Sequence, residues 1–164
     1  MMDYIEHDSP LGTLLLAASA RGLSGLYFDG HKYFKGTAGW RRDAANPHLC
    51  AAARQLDEYF AGQRRTFDLG LDLQGTPFQQ FVWQALQQVP FGVTTTYQTI
   101  AHRIANPKAV RAAGTAIGRN PVSIIVPCHR VLGSNGGLSG YAGGLERKRH
   151  LLALEGGLPL KAAV

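Results

Sequence analysis

Cysteine is scarce in this chain of 164 residues, which has two, at positions 50 and 128. Thiols 78 positions apart give neither a disulfide framework nor the paired spacing of a zinc site. His7, His31 and His48 share the first half with Cys50 but match no metal motif. Long apolar runs are missing too. None approaches the ~20 residues of a membrane span, and Met1 to His7 is not a basic stretch leading into an apolar one. These absences predict a cytoplasmic protein with reduced thiols, no membrane partner, no bound metal and no cofactor. Repeats and low-complexity tracts are absent. Acidic residues are short in one half only. Residues 1–77 carry eight Lys/Arg against nine Asp/Glu, whereas residues 78–164 carry nine against two. A near-neutral half joined to one of +7 points to a polyanion partner for the second. With 45% hydrophobic and 17% charged residues the chain is globular and long enough for a real core.

The first half reads as a small α/β scaffold. Asp3 to His7, Gly12 to Ser19 and Gly22 to Phe28 are β-type segments separated by turn residues, as in an antiparallel meander. Asp29 to Ala45 reads as a loop. Asn46 then caps a helix with Pro47 in its first turn, and Gly62 closes it. Cys50 falls in this helix among alanines, as a small packing residue. Phe67, Leu69, Leu71 and Leu73 alternate with polar residues and glycine, the pattern of one more half-buried strand.

Gln74-Gly75 is the break between lobes. Thr76-Pro77-Phe78-Gln79 opens a helix with a capping box, on which Phe81 and Trp83 read as core. Thr96 caps a short helix from Tyr97 to Ala105. Asn106-Pro107 stops it and starts another, Pro107 to about Arg119, giving a helix-turn-helix pattern. Ala112, Ala113, Gly114 and Ala116 leave little side chain on that second helix to hold its backbone away from DNA. Arg111 is the long side chain placed to probe the duplex, at a phosphate or in the space of a base.

Next comes the run Asn120-Pro-Val-Ser-Ile-Ile-Val-Pro-Cys-His-Arg-Val131. Val122 to Val126 read as a short buried strand, ended by Pro127, which has no N–H for a ladder. It delivers Cys128 beside His129. A glycine-rich loop, Gly133 to Gly144, could form a pocket lip, but no Gly-Lys-Ser/Thr ending marks it as a phosphate loop. A last basic helix runs from Leu145 to Leu154 and ends at Glu155-Gly156-Gly157. A carboxylate at a helix C-terminus is disfavoured by up to ~1 kcal/mol, so Glu155 calls for a partner, and the His129 imidazole would serve.

Asn120-Pro121, Pro127-Cys128-His129-Arg130-Val131, Tyr141-Ala142-Gly143-Gly144 and Leu151-Leu152-Ala153-Leu154-Glu155-Gly156 together resemble the O6-alkylguanine-DNA alkyltransferases, or methylated-DNA–protein-cysteine methyltransferases. The likeness is densest from Thr76 to Gly156, and in the first half it rests on Ser9-Pro10-Leu11-Gly12. It implies an α+β fold: a ribonuclease-H-like scaffold lobe over residues 1–75, and a mostly helical lobe over 76–164 with a winged-helix-like helix-turn-helix. The resemblance also implies a reaction. A damaged guanine is flipped out of duplex DNA, and its O6-alkyl group is transferred irreversibly to Cys128, one group per protein molecule. A thiol of pKa ~8.5 needs a base. His129 matches that base, acting through an ordered water, Glu155 the residue that orients it, and Asn120 the hinge that braces them. Tyr97 matches the donor to the departing guanine and Arg111 the finger that replaces the extruded base. Arg111, Ala112, Ala113, Gly114 and Arg119 are then the DNA-contacting set. Val131, Tyr141, Ala142 and Lys148 match the substrate pocket. The family often has Ser at the place of Ala142, where a backbone contact survives and a hydroxyl contact does not. Some relatives bind zinc in the first lobe, for which this chain lacks the cysteines. The implied partner is double-stranded DNA containing O6-alkylguanine, met by a monomer whose cooperativity on DNA stays open.

Two other classes remain open on sequence. A thiol hydrolase could use Cys128, His129 and Glu155 with loop glycines as an oxyanion hole, and would turn over many times. A DNA-binding regulator would explain the helices and charge but leave the thiol idle.

Overall fold

The computed structural model describes residues 1–133, 136–138 and 140–156. Ser134, Asn135 and Ser139 of the glycine-rich loop, and 157–164 with Gly157 of the last helix stop, lie outside the described residues. The meander forms as expected: β1 (Asp3–Ser9), β2 (Gly12–Ala18) and β3 (Leu23–Phe28) pair antiparallel in consecutive order. The expected loop after it contains a two-residue strand, β4 (Arg41–Arg42), parallel to β1, so the sheet order is β3-β2-β1-β4. α1 (Pro47–Phe60) packs on the sheet, its first turn closed by Asn46 Oδ1, which accepts from the His48 and Leu49 amides.

α2 (Pro77–Gln87) opens with the capping box of Thr76 and Gln79. α3 (Tyr97–Arg103) and α4 (Val110–Gly118) make the helix-turn-helix, and α5 (Leu145–Glu155) is the last helix of the described residues. β5 (Thr95–Thr96) and β6 (Val131–Leu132) form a short parallel ladder. One continuous apolar cluster joins the two halves, from Leu14, Leu26 and Tyr59 through Val82, Trp83 and Ile100 to Leu151. Trp83 also donates its indole N–H to the Ala116 carbonyl at 2.9 Å, tying α2 to α4.

Two expected strands reduce to single bridges. Leu71 and Val122 each pair once, in parallel, with the outer edge of β3: Leu23↔Leu71 and Leu26↔Val122. That edge is six residues long and two segments share it, so neither has room for a ladder. The approach is close, since a Cβ on Gly22 would lie 2.6 Å from the Gly70 carbonyl oxygen. Beyond Val122 the chain turns rather than extends. Ile124 takes φ 71, and the Val126 amide donates to the Val122 carbonyl at 3.0 Å. Asn120 replaces the missing ladder, accepting from the Val122 amide at 3.0 Å and donating to the Val126 carbonyl at 2.7 Å.

Other expectations are corrected. α4 starts at Val110, not Pro107. Ala105 sits at φ 58, and the Ala109 amide bonds back to the Asn106 carbonyl, so Asn106 and Pro107 belong to the turn. Phe81 is 62% exposed on α2 and not in the core. Cys50 is exposed as well, its thiol donating to the Ala44 carbonyl rather than filling the core.

Candidate active site

Cys128, His129 and Arg130 form a single 3-10 turn behind Pro127. Three residues per turn send successive side chains in directions about 120° apart. The thiol therefore faces one way while the imidazole and guanidinium face others. Cys128 is 7% exposed, and its Sγ accepts from Asn120 Nδ2 at 3.2 Å. The same amide that holds the 122–126 turn thus braces the thiol. Tyr97, Gly114, Asn120, Tyr141 and Ala142 line, with Cys128, a cavity of about 30 Å³. A cleft of about 290 Å³ shares Tyr97, Gly114, Tyr141 and Ala142 and forms its approach. A larger groove of about 550 Å³ between α2 and α3, beside Phe81 and Arg103, includes none of these residues.

On the other side of the turn the chemistry is buried. Glu155, in the last turn of α5, receives His129 Nε2 on Oε2 at 2.8 Å and Arg130 on both oxygens at 2.8 and 3.0 Å. The Tyr59 hydroxyl, from α1, donates to Oε2 at 2.6 Å. Arg130 also donates to the Val89 carbonyl at 2.6 Å. The partner that Glu155 needed at its helix end is therefore His129, as its position suggested, together with two residues that the sequence did not single out for it. Gly156 at φ 71 then caps the helix.

Burial opposes the charge on Glu155, yet the hydrogen bonds from His129 and Arg130 outweigh it and hold the carboxyl down at about 2. For His129 burial wins over the pull of Glu155 and pushes the imidazole below its ordinary value. The two shifts agree if Arg130 is the counter-charge and His129 is neutral, donating Nε2–H to Glu155. Nδ1 then carries a lone pair; it is fully buried and has no hydrogen-bond partner among the described residues. Burial pushes the Cys128 thiol up, and the Asn120 amide and the Lys148 charge pull it back only in part. The resting site is a thiol awaiting a base. Lys148 is fully buried, and desolvation pushes it down to about 8. The Tyr141 hydroxyl lies against Cys128 and Ser123 without completing a well-formed hydrogen bond to either.

Of the residues singled out from sequence, Cys128, Asn120, Tyr97, Tyr141 and Ala142 meet at the cavity, with His129 and Glu155 behind it. Val131 and Lys148 are buried beside this group and do not line the cavity. On α4, Arg111 and Ala112 are exposed and Gly114 faces the approach cleft. Ala113 is the correction: it is fully buried in the core and cannot present its side chain to DNA. Arg119 is exposed with its guanidinium 4.5 Å from the Tyr33 ring centre. Sequence reasoning missed Arg130, Tyr59 and His31. Arg130 stood inside the motif as a cation in an apolar run. Tyr59 lies on the buried face of α1, and nothing in the sequence pointed its hydroxyl at Glu155. Among the described residues no three His, Cys, Asp or Glu side chains converge to hold a metal ion, and no helix is long and apolar enough to cross a membrane.

Residues 77–157 match the family model described as 6-O-methylguanine DNA methyltransferase, DNA binding domain, and residues 2–73 match its ribonuclease-like domain. Two relatives named methylated-DNA–protein-cysteine methyltransferase, from Mycolicibacterium paratuberculosis and Methanosarcina acetivorans, are each 48% identical to 94% of this chain, over 93% and 99% of their own lengths. The crystal structure of Mycobacterium tuberculosis O6-methylguanine methyltransferase superposes with a TM-score of 0.88 at 46% identity, covering 98% of this chain and 96% of that one. A second structure of a Mycobacterium tuberculosis protein, in complex with DNA, gives 0.89 at 47% identity over 93% and 92%. With both halves matched by its models and relatives of this identity along nearly the whole length, the chain belongs to the methylated-DNA–protein-cysteine methyltransferase family.

Proposed function

We propose that this protein repairs double-stranded DNA by moving the alkyl group of O6-alkylguanine onto its own Cys128. His129, neutral and held by Glu155, takes the thiol proton at Nδ1 through one water. The thiolate attacks the alkyl carbon in line with the C–O6 bond, a C–S bond forms, and the guanine leaves with the bonding pair. Tyr97 protonates the departing base, and its proton is restored from His129 or solvent. The net change is thiol plus O6-alkylguanine to thioether plus guanine. Lys148 beside the thiol, pushed down to about 8 yet still charged near neutral pH, holds its proton more firmly as the thiolate forms, since opposite charges stabilise each other. Tyr141, Ala142 and the backbone near Val131 hold the base. Arg111 enters the stack that the base vacates, with Ala112, Gly114 and Arg119 against the duplex. Residues 76–164 carry this chemistry and residues 1–75 support it. Two thiols 78 positions apart, with no disulfide framework, support a cytoplasmic setting in which the protein acts as a monomer.

The observation that supports this most directly is the braced thiol at a cavity with a buried neutral imidazole–carboxylate pair behind it. A thioether offers no good leaving group, so each molecule reacts once. Incubation with duplex containing O6-methylguanine adds one methyl to the peptide containing Cys128 and then stops at one equivalent. Cys128→Ser abolishes it. Many turnovers per protein molecule would overturn the reading.

A further inference from the structure

Among the described residues, the cavity at Cys128 is walled almost wholly by the second half of the chain, with one exception. His31, on the coil that follows β3, lines it from the first half. The other walls have little freedom to recede. Gly114, Gly118, Gly140 and Ala142 are backbone or a single methyl, and Asn120 is fixed by the 122–126 turn. Beside Ile117 and Ser123, three rings complete the wall: Tyr97 at the start of α3, Tyr141, and His31. Of these, only His31 comes from outside the lobe that binds the base in the proposed reaction.

The ring is built in, not loosely placed. His31 is 6% exposed, and the Tyr27 ring meets it edge-on at 5.2 Å. Its Nδ1 accepts from the Tyr33 amide at 3.2 Å, and its own amide donates to the Phe28 carbonyl at 3.0 Å. The segment is then tied to the second half at two points. The Lys32 amide donates to the Ala142 carbonyl at 3.2 Å, and Arg119 sits over Tyr33 at 4.5 Å. With Nδ1 an acceptor and burial pushing the imidazole down, the ring is neutral and suits an apolar neighbour. The space it bounds is narrow: about 30 Å³ is room for about two waters.

We infer that His31 is a specificity-determining residue: it is the wall, lent by the first half, that limits how large an alkyl group can reach Cys128. The reacting carbon must come against Sγ, so any atoms beyond it extend into the space beside the thiol that His31 bounds. A methyl adds none. A benzyl group adds a ring that competes with the imidazole for the same space. The inference rests on the proposed alkyl transfer and adds to it which group is admitted.

The test compares rates of transfer from O6-methylguanine and O6-benzylguanine in the same duplex, with the full-length protein, and reads their ratio. His31→Ala raises the benzyl-to-methyl ratio about tenfold or more, and His31→Leu, of similar bulk without ring nitrogens, leaves it near the parent value. A general loss of stability or of DNA affinity moves both rates together and not the ratio. Should His31→Ala fail to fold, His31→Phe gives the opposite sign, a ratio below the parent. A ratio within twofold of the parent in the folded variant of either kind overturns the role of His31. No transfer of methyl by the parent overturns instead the proposed function.

Discussion

Residues 76–156 carry the thiol, its imidazole and its carboxylate on two short stretches that the sequence marks openly, whereas residues 2–73 carry no motif that names a reaction. The structure makes the contrast less simple. Two side chains of the first half reach the site, Tyr59 on the Glu155 carboxylate and His31 at the cavity wall. In return, the basic excess of the second half is not all surface. Arg130 and Lys148 are buried within the site, and Arg147 points back to the Leu11 and Asp29 carbonyls of the first half. Arg103, Lys108, Arg111 and Arg119 stay exposed along the helix-turn-helix. Net charge by segment therefore says how many cations there are, not which of them meet DNA. It teaches that a half without motifs can still supply positioning groups.

Three measurements would break or sharpen this division. The largest effect belongs to Glu155→Gln. Removing the carboxylate leaves the buried Arg130 guanidinium without its counter-charge, which costs about 3–5 kcal/mol in urea unfolding, and methyl transfer falls with it. The acid behaviour follows from the same group. Its folded value of about 2 lies below the ordinary 4.5, so its stabilising contribution is complete above 4.5 and is lost as pH falls towards 2. His129, also lowered, adds a loss that begins earlier, as pH drops below the ordinary imidazole value of 6.5. The parent should weaken through both windows and Glu155→Gln should lack the lower one. An unchanged acid limb in the variant would show that Glu155 does not carry it.

Tyr59→Phe comes next and bears on the first half. It deletes one hydrogen bond to a charged acceptor, worth about 1.5–3 kcal/mol, and slows transfer while leaving duplex affinity alone. A loss below ~0.5 kcal/mol would return α1 to the status of mere scaffold. The smallest effect on the fold is that of Arg111→Ala. Folding stability stays within ~0.5 kcal/mol, while duplex binding weakens and the slope of log affinity against log salt falls by about one. An unaltered duplex affinity would remove Arg111 from the stack that the extruded base vacates.

How much of this was legible depends on what kind of information each feature uses. The meander, the capping box of Thr76 and Gln79 and the Asn46 cap are local, set by residues within a few positions of each other, and the structure has them. The mate of Glu155 was legible because a carboxylate at a helix end needs one. The runs at 67–73 and 122–126 were rightly read as apolar and inward, but apolar alternation does not say whether a free strand edge exists to pair with. Both runs met the same six-residue edge of β3, and the Asn120 amide took the place of a ladder in the second run. The start of α4 shifted because a left-handed Ala105 lengthens the turn, which no composition rule signals. Tyr59 and His31 lie 96 and 97 positions from the groups they serve, Glu155 and Cys128, beyond any pattern of periodicity.

The crowded outer edge of β3 has a consequence of its own. An open strand edge is a template on which other chains can add, and sheets that expose one tend to aggregate. Here backbone from Gly70–Asp72 and Pro121–Ser123 occupies that edge. The opposite edge, β4, is two residues long and made of arginines, Arg41 and Arg42, engaged by Asp3 and Glu6. One side of the sheet is thus covered along β3, and on the other a short charged strand occupies the start of β1, so a second molecule finds little continuous edge to build on at either place.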